Sequence, residues 1–196
     1  MQNIQDIIEQ IKNLEKRLSV EIQKKEEEFF YRIKGKKVFF EEDTKKYHKT
    51  LVTKIRTYLY RAGILDIIVG PVIWFCLVPI LFLDLVATVF QLICFPVYKI
   101  PKVTRSDYVV IDRHALTYLN VVEKIYCIYC GYFNGVIAYT QEIAARTEQY
   151  WCPVKHARKI TTIHSRYNKF LAYGDADSYR KEVERIRRDF EDLKEN

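Results

Sequence analysis

The sequence predicts a predominantly α-helical, membrane-anchored protein, and three observations carry that reading. Charged residues crowd into 1–61 and 99–196, whereas Gly63 to Tyr98 holds no charge except Asp66 and Asp84. An apolar run of that length is a bilayer signal, because a core helix of a water-soluble protein normally keeps a polar stripe. Apolar residues recur at steps of three and four near both ends of the chain, which is helical spacing. The one β signal is short, near residues 29–40. A mean hydropathy of −0.18 conceals this segregation.

Residues 1–28 predict an amphipathic helix of coiled-coil type. Ile4, Ile7, Ile11, Leu14 and Leu18 place an apolar seam on a helix otherwise built from Glu, Lys, Gln and Asn. The seam is too short for a free-standing coiled coil, so it calls for a partner. Residues 29–41 predict a small β-hairpin, with β-branched and aromatic residues on both sides of Lys34-Gly35-Lys36 and Gly35 supplying a positive φ. Residues 42–61 predict one basic juxtamembrane helix, with Tyr47, Leu51, Ile55 and Leu59 roughly on one face.

Residues 63–98 predict the membrane segment. A span needs about 20 residues, so this run is too long for one and too short for two. A helical hairpin with its turn near Asp84 would have a return arm of only about 21 Å, which favours a re-entrant or shallow loop. One span followed by an interfacial stretch is the other geometry. Basic residues flank the run on both sides, Lys45 to Arg61 before it and Lys99 to Arg113 after it, and the positive-inside rule then puts both flanks in the cytoplasm. At the turn Asp84 would cap a helix; inside the bilayer it would mark an ion path. Cys76 and Cys94 read as apolar fillers. The N-terminus has no signal-peptide core.

The formal net charge of +7 suits anionic headgroups. No recognition motif accompanies it, so nucleic acid is not an expected partner. Membrane lipid is, together with a protein partner or a second copy through the terminal helices.

Residues 99–174 predict a Cys/His-bearing helical domain. Leu116, Leu119, Val122 and Ile125 mark a helix over 112–126; Val136, Tyr139, Ile143, Thr147 and Tyr150 mark a second over 133–151; Pro153 suits the first turn of a third. Residues 175–196 predict a C-terminal amphipathic helix, N-capped by Asp175, Asp177 or Ser178, with a second seam through Tyr179, Val183, Ile186, Phe190 and Leu193.

The strings "CIYCGYFNG" and "EIAARTEQYWCPVKHA", with the residues between and before them, resemble an uncharacterised family of bacterial membrane proteins with CxYCGYxNG and EIAARTEQYWCPxKHA-type motifs. The resemblance spans roughly residues 70–175. It implies a bacterial inner-membrane location and a recurrent block of Cys and His, and no activity.

Cys127, Cys130, Cys152 and His156 have the donor types and spacings of a tetrahedral Cys3His zinc site, with Gly131 allowing a tight knuckle. A continuous helix over 133–151 would hold the two halves about 27 Å apart, so that site needs a break near Gly135 or a second subunit. Antiparallel packing of helices 112–126 and 133–151 offers an alternative cluster of Asp112, His114, Glu148, Cys152 and His156, which suits zinc or iron. A thiol-redox role for Cys127 and Cys130 lacks the usual preceding strand. Two functions follow from this: a non-enzymatic metal-binding or assembly protein at the membrane, or a metal-dependent or thiol-redox membrane enzyme.

Overall fold

The computed structural model describes residues 2–35 and 37–193. They fall into two compact units, Met1–Arg61 with Asp112–Ile128, and Ala62–Ile111 with Tyr129–Asn196. The architecture is predominantly helical with one small antiparallel hairpin.

In the first unit, α1 (Gln2–Glu28) is rich in strong helix formers. Strands β1 (Tyr31–Lys34) and β2 (Lys37–Phe40) pair antiparallel with Tyr31 opposite Phe40 and Ile33 opposite Val38. Gly35 has a φ of 61°, which a side chain would disfavour, so the glycine serves the turn as expected. The basic stretch 42–61 is two helices rather than one, α2 (Glu42–Thr50) and α3 (Ile55–Arg61). Thr50 Oγ1 donates to the carbonyl of Tyr47 (2.6 Å), and the carbonyl of Thr53 in the break accepts from Asn120 Nδ2 (3.4 Å). The break is therefore used by a tertiary contact that periodicity cannot reveal.

The second unit opens with α4 (Ile64–Phe75), whose first turn is closed by the Gly63 N–H donating to the Asp66 carboxylate (3.1 Å). It continues as α5 (Leu77–Tyr98). The hairpin with a turn at Asp84 does not form: Asp84 lies inside α5, and the only interruption is at Cys76. Cys76 keeps right-handed helical angles (φ −63°, ψ −13°), so the chain runs on in one direction instead of reversing. Pro79 explains the interruption, since it has no N–H for the carbonyl of Phe75 one turn earlier.

At Lys99 the backbone turns into the left-handed region (φ 57°) and the chain heads back. Ile100 to Ile111 returns beside α5, broken only by one turn of helix, α6 (Arg105–Tyr108). Both amide atoms of Gln91 on α5 grip the backbone of Val103, with Nε2 donating to its carbonyl (3.2 Å) and Oε1 accepting its N–H (2.9 Å). Farther along, Arg105 reaches Asp84.

The next helix, α7 (Val121–Trp151), corrects two expectations at once. The separate helices over 112–126 and 133–151 are one helix, and 112–120 holds only a 3-10 turn, Arg113–Ala115. Asn120 and Glu123 start α7 with a reciprocal capping box: Asn120 Oδ1 accepts the Glu123 N–H (3.0 Å) and Glu123 accepts the Asn120 N–H (2.8 Å). No helix opens at Pro153. Pro153 is buried, and its neighbour Val154 forms an isolated parallel bridge to Leu171. The last helix, α8 (Ala176–Arg188), is capped by Asp175, which accepts the Ser178 N–H (3.0 Å).

The core of this unit joins Ala87 and Phe95 of α5, Ile100 and Val103 of the returning chain, Tyr139 and Ile143 of α7, and Phe190 beyond α8. The C-terminal seam is thus consumed inside the unit, with Val183, Ile186 and Phe190 all buried. In the first unit Leu14 and Leu18 remain exposed. The side chains of Ile4, Ile7 and Ile11 lie outside the described residues.

Candidate functional site

The CxxCG block sits in the body of α7, where Cys127 is half-buried and Cys130 exposed on successive turns. Cys152 follows the end of the same helix and is also exposed. With α7 unbroken, about 33 Å of helix separates Cys130 from Cys152, whereas ligands of one zinc lie within a few ångströms of each other. A Cys3His site does not close within one chain. His156 is exposed, with its ring stacked on that of Tyr167 and its N–H donating to the Tyr167 hydroxyl (3.0 Å).

The alternative cluster calls for the chain to reverse at the CxxCG, where α7 instead runs on. Glu148 instead meets the imidazole of His164 (3.0 Å). Among the described residues no three His, Cys, Asp or Glu side chains are placed to hold one metal ion. The expected filler role of Cys76 also needs correcting, since its side chain is exposed; Cys94 is half-buried.

The glycines of this block have a different task. Gly131 and Gly135 lie one turn apart on the face of α7 against which the returning chain packs. A Cβ on Gly135 would stand 2.8 Å from both the Tyr108 carbonyl oxygen and the Val109 Cα; one on Gly131 would stand 3.2 Å from the Val110 carbonyl oxygen. Backbone cannot approach a side-chain-bearing helix that closely. "GYFNG" is therefore a helix-packing motif rather than a metal knuckle.

Below it, α7 carries a buried polar row. Arg146 donates to Glu142 (2.8 Å) and to the carbonyls of Pro101 (2.8 Å) and Lys102 (3.0 Å), holding the start of the returning chain. Glu142 also accepts from Ser165 (2.6 Å). Gln149, fully buried, donates to the carbonyls of Ile186 (2.8 Å) and Asp189 (2.7 Å) and accepts from Arg166 (2.7 Å). Arg166 reaches on to Asp192 (2.6 Å), which also accepts from Lys169 (2.8 Å). Hydrogen bonds from Arg166 and then Lys169 hold the Asp192 carboxyl below the usual carboxylate range. Burial, and then the charge of Glu142, push the Tyr108 phenol upward. Each buried charge in this row has a partner, as burial requires. The row ties the C-terminal segment to α7.

Residues that face away from this framework make the largest feature of the second unit. On α5 the inward positions are Ile80, Ala87, Gln91 and Phe95. The opposite side exposes Phe82, Leu85, Val89, Ile93 and Val97, and α4 continues it with Ile64, Leu65, Ile68 and Phe75. Over Ile64–Tyr98 the mean hydropathy reaches 2.5 and only 11% of the most apolar stretch is buried. Asp84 does not interrupt this face, because its carboxylate points to Arg105 (2.6 Å) and accepts from the Tyr132 hydroxyl (2.8 Å).

The first unit has a groove of about 650 Å³ between the hairpin and the 112–118 segment, bordered by Tyr31, Ile33, Phe40, His48, Leu116 and Tyr118. His48 is held edge-on by Phe40 and Tyr118, with ring centroids 5.5 and 5.2 Å away. Among the described residues its Nδ1 has no hydrogen-bond partner.

The sequence carried signals for several of these features. Asn120-Val-Val-Glu123 is a capping box and Gly131-x-x-x-Gly135 a close-approach motif, both readable by spacing. The pairing of Asp84 with Arg105 and of Gln91 with Val103 left no local signal, since the partners come from the returning chain. No family model, curated protein or solved structure matches the chain.

Proposed function

We propose that this is a membrane-associated assembly protein without catalytic activity of its own, attached to the bacterial cytoplasmic membrane through residues 63–98. The observation that carries the reading is the outward face of α4 and α5. An apolar surface this long and continuous is costly in water, and soluble monomers rarely leave one uncovered. The exposed Leu14 and Leu18 on α1 support the assembly part, because a helix with an open apolar seam gains stability by pairing. The polar row of the second unit supports a non-catalytic role, being fully paired and structural.

Fractionation of bacteria expressing the full chain tests the attachment. The protein is expected in the membrane pellet, retained through a high-salt wash and released by detergent; recovery in the soluble fraction overturns the reading. For assembly, Leu14→Cys and Leu18→Cys are expected to cross-link to another chain in membranes. Absence of any cross-link at both positions removes that part of the proposal.

A further inference from the structure

Resting on the membrane reading, we infer that α5 lies in the plane of one leaflet, with its outward face in the acyl region and the rest of its unit in water. The protein is then a monotopic anchor on an anionic lipid surface and not a spanning one.

The argument turns on what lies beside α5. One side of the helix is covered along much of its length by the returning chain, which runs antiparallel to it. Val103 sits opposite Gln91, and Arg105 sits opposite Asp84. That chain carries exposed charges at these levels: Lys102 and Asp107 are open, and the Arg105 side chain is 43% exposed even while it binds Asp84. If α5 stood across the bilayer, these groups would be carried into the hydrocarbon with it. Charges at bilayer depth are costly unless they face a bundle interior or an aqueous cavity, and Arg105 already spends one side on the Asp84 carboxylate.

Laying the helix flat removes the conflict. The outward row then enters the leaflet along its whole length, and the charged returning chain remains in water. The dimensions agree: Ile64–Tyr98 would extend for about 52 Å as helix, well beyond a hydrocarbon core of about 30 Å, whereas an in-plane helix has no length limit. The basic residues that follow the run in the same unit, Lys99 and Lys102, then meet the headgroup layer. Both flanks stay on one side, as their shared basic character favours.

The test measures depth. In the full chain with its five native cysteines replaced by alanine, Phe82→Cys, Leu85→Cys, Val89→Cys, Ile93→Cys and Val97→Cys each carry one nitroxide. Vesicles are phosphatidylcholine with or without phosphatidylglycerol. The expected result is similar shallow depth at all five positions, about 5–10 Å below the headgroups, with binding about tenfold tighter to the anionic vesicles at low salt. A depth that rises to a maximum and falls again along the helix means a span and overturns the in-plane geometry while leaving membrane attachment intact. No binding to either vesicle overturns attachment as well. Self-association without vesicle binding shows that a second copy covers the face, which also overturns the inference.

The unaltered chain gives a second readout that needs no cysteine replacement. Trypsin added outside proteoliposomes is expected to cleave both the 54–61 and the 99–105 flanks. Protection of either flank in a vesicle-bound chain identifies a span.

Discussion

The two sides of α5 have opposite fates, and the less apolar side is the one that packs. Ile80, Ala87, Gln91 and Phe95 face the returning chain and α7 and are buried; Phe82, Leu85, Val89 and Ile93 face away and are exposed. The side that packs is the one that includes a glutamine and, near its middle, an aspartate. High hydropathy therefore does not mark the buried positions of this helix. The polar residues do, because a carboxylate or an amide can only be placed where a partner meets it.

Truncation on the packed side should be the most damaging change. Phe95 has no exposed surface and belongs to the core, so Phe95→Ala is expected to cost about 3–5 kcal/mol in equilibrium unfolding of the detergent-solubilised chain. A loss below about 1 kcal/mol would mean that the packed side is not a real core.

Gly135→Ala should come next, at about 1–3 kcal/mol, because the new methyl meets backbone on the returning chain and backbone cannot rotate away. Gly131→Ala makes a sharper control. Its contact is 0.4 Å looser (3.2 against 2.8 Å), and alanine gains about 0.5–1 kcal/mol over glycine inside a helix, so the two effects should nearly cancel. Equal losses at both positions would contradict the close approach at Gly135.

A smaller effect follows from the polar row. Asp192 has its carboxyl held down by Arg166 and Lys169 in the folded chain. A depressed folded pKa contributes stability that is fully present above the unfolded value of about 3.9 and is lost as pH falls through the folded value. Urea midpoints should therefore drop as pH is lowered below about 4, and Asp192→Asn should flatten that part of the profile. An unchanged acid limb in the variant would remove Asp192 from the row's contribution.

The outward side should barely register in folding. Leu85→Ser is expected to stay within about 0.5 kcal/mol of the parent in detergent while weakening vesicle binding. Loss of folding together with binding would show that the exposed row is packed after all. Serine at Cys127 or at Cys152 is likewise expected to leave the metal content equal to that of the parent by elemental analysis.

A similar contrast separates the two terminal seams. Each steps by three and four, and each looks as if it lacks a partner when read as sequence. In the folded chain Val183, Ile186 and Phe190 are buried within the unit, Phe190 in the core with Tyr139 of α7 and Ile100 of the returning chain, while Leu14 and Leu18 stay open. Periodicity reports that a face is apolar. It carries no information about which surface, from which part of the chain, arrives to cover it.

Local physics made much of this protein legible. Helix-forming composition, the Gly35 turn, the Asp175 cap and the apolar run from Gly63 to Tyr98 all act within a few residues of one another, so the order of amino acids is sufficient to place them. The Cys and His spacings were legible too, but they described donor types without separation in space. Only the tertiary structure decided that α7 runs unbroken through the CxxCG, that Asp84 lies mid-helix against Arg105, and that the glycines after the thiols admit the backbone of Tyr108 to Val110. Those outcomes depend on a chain that reverses at Lys99 and returns between two helices, and contacts that bring residues 84 and 105 or 110 and 131 together have no signature in either segment alone.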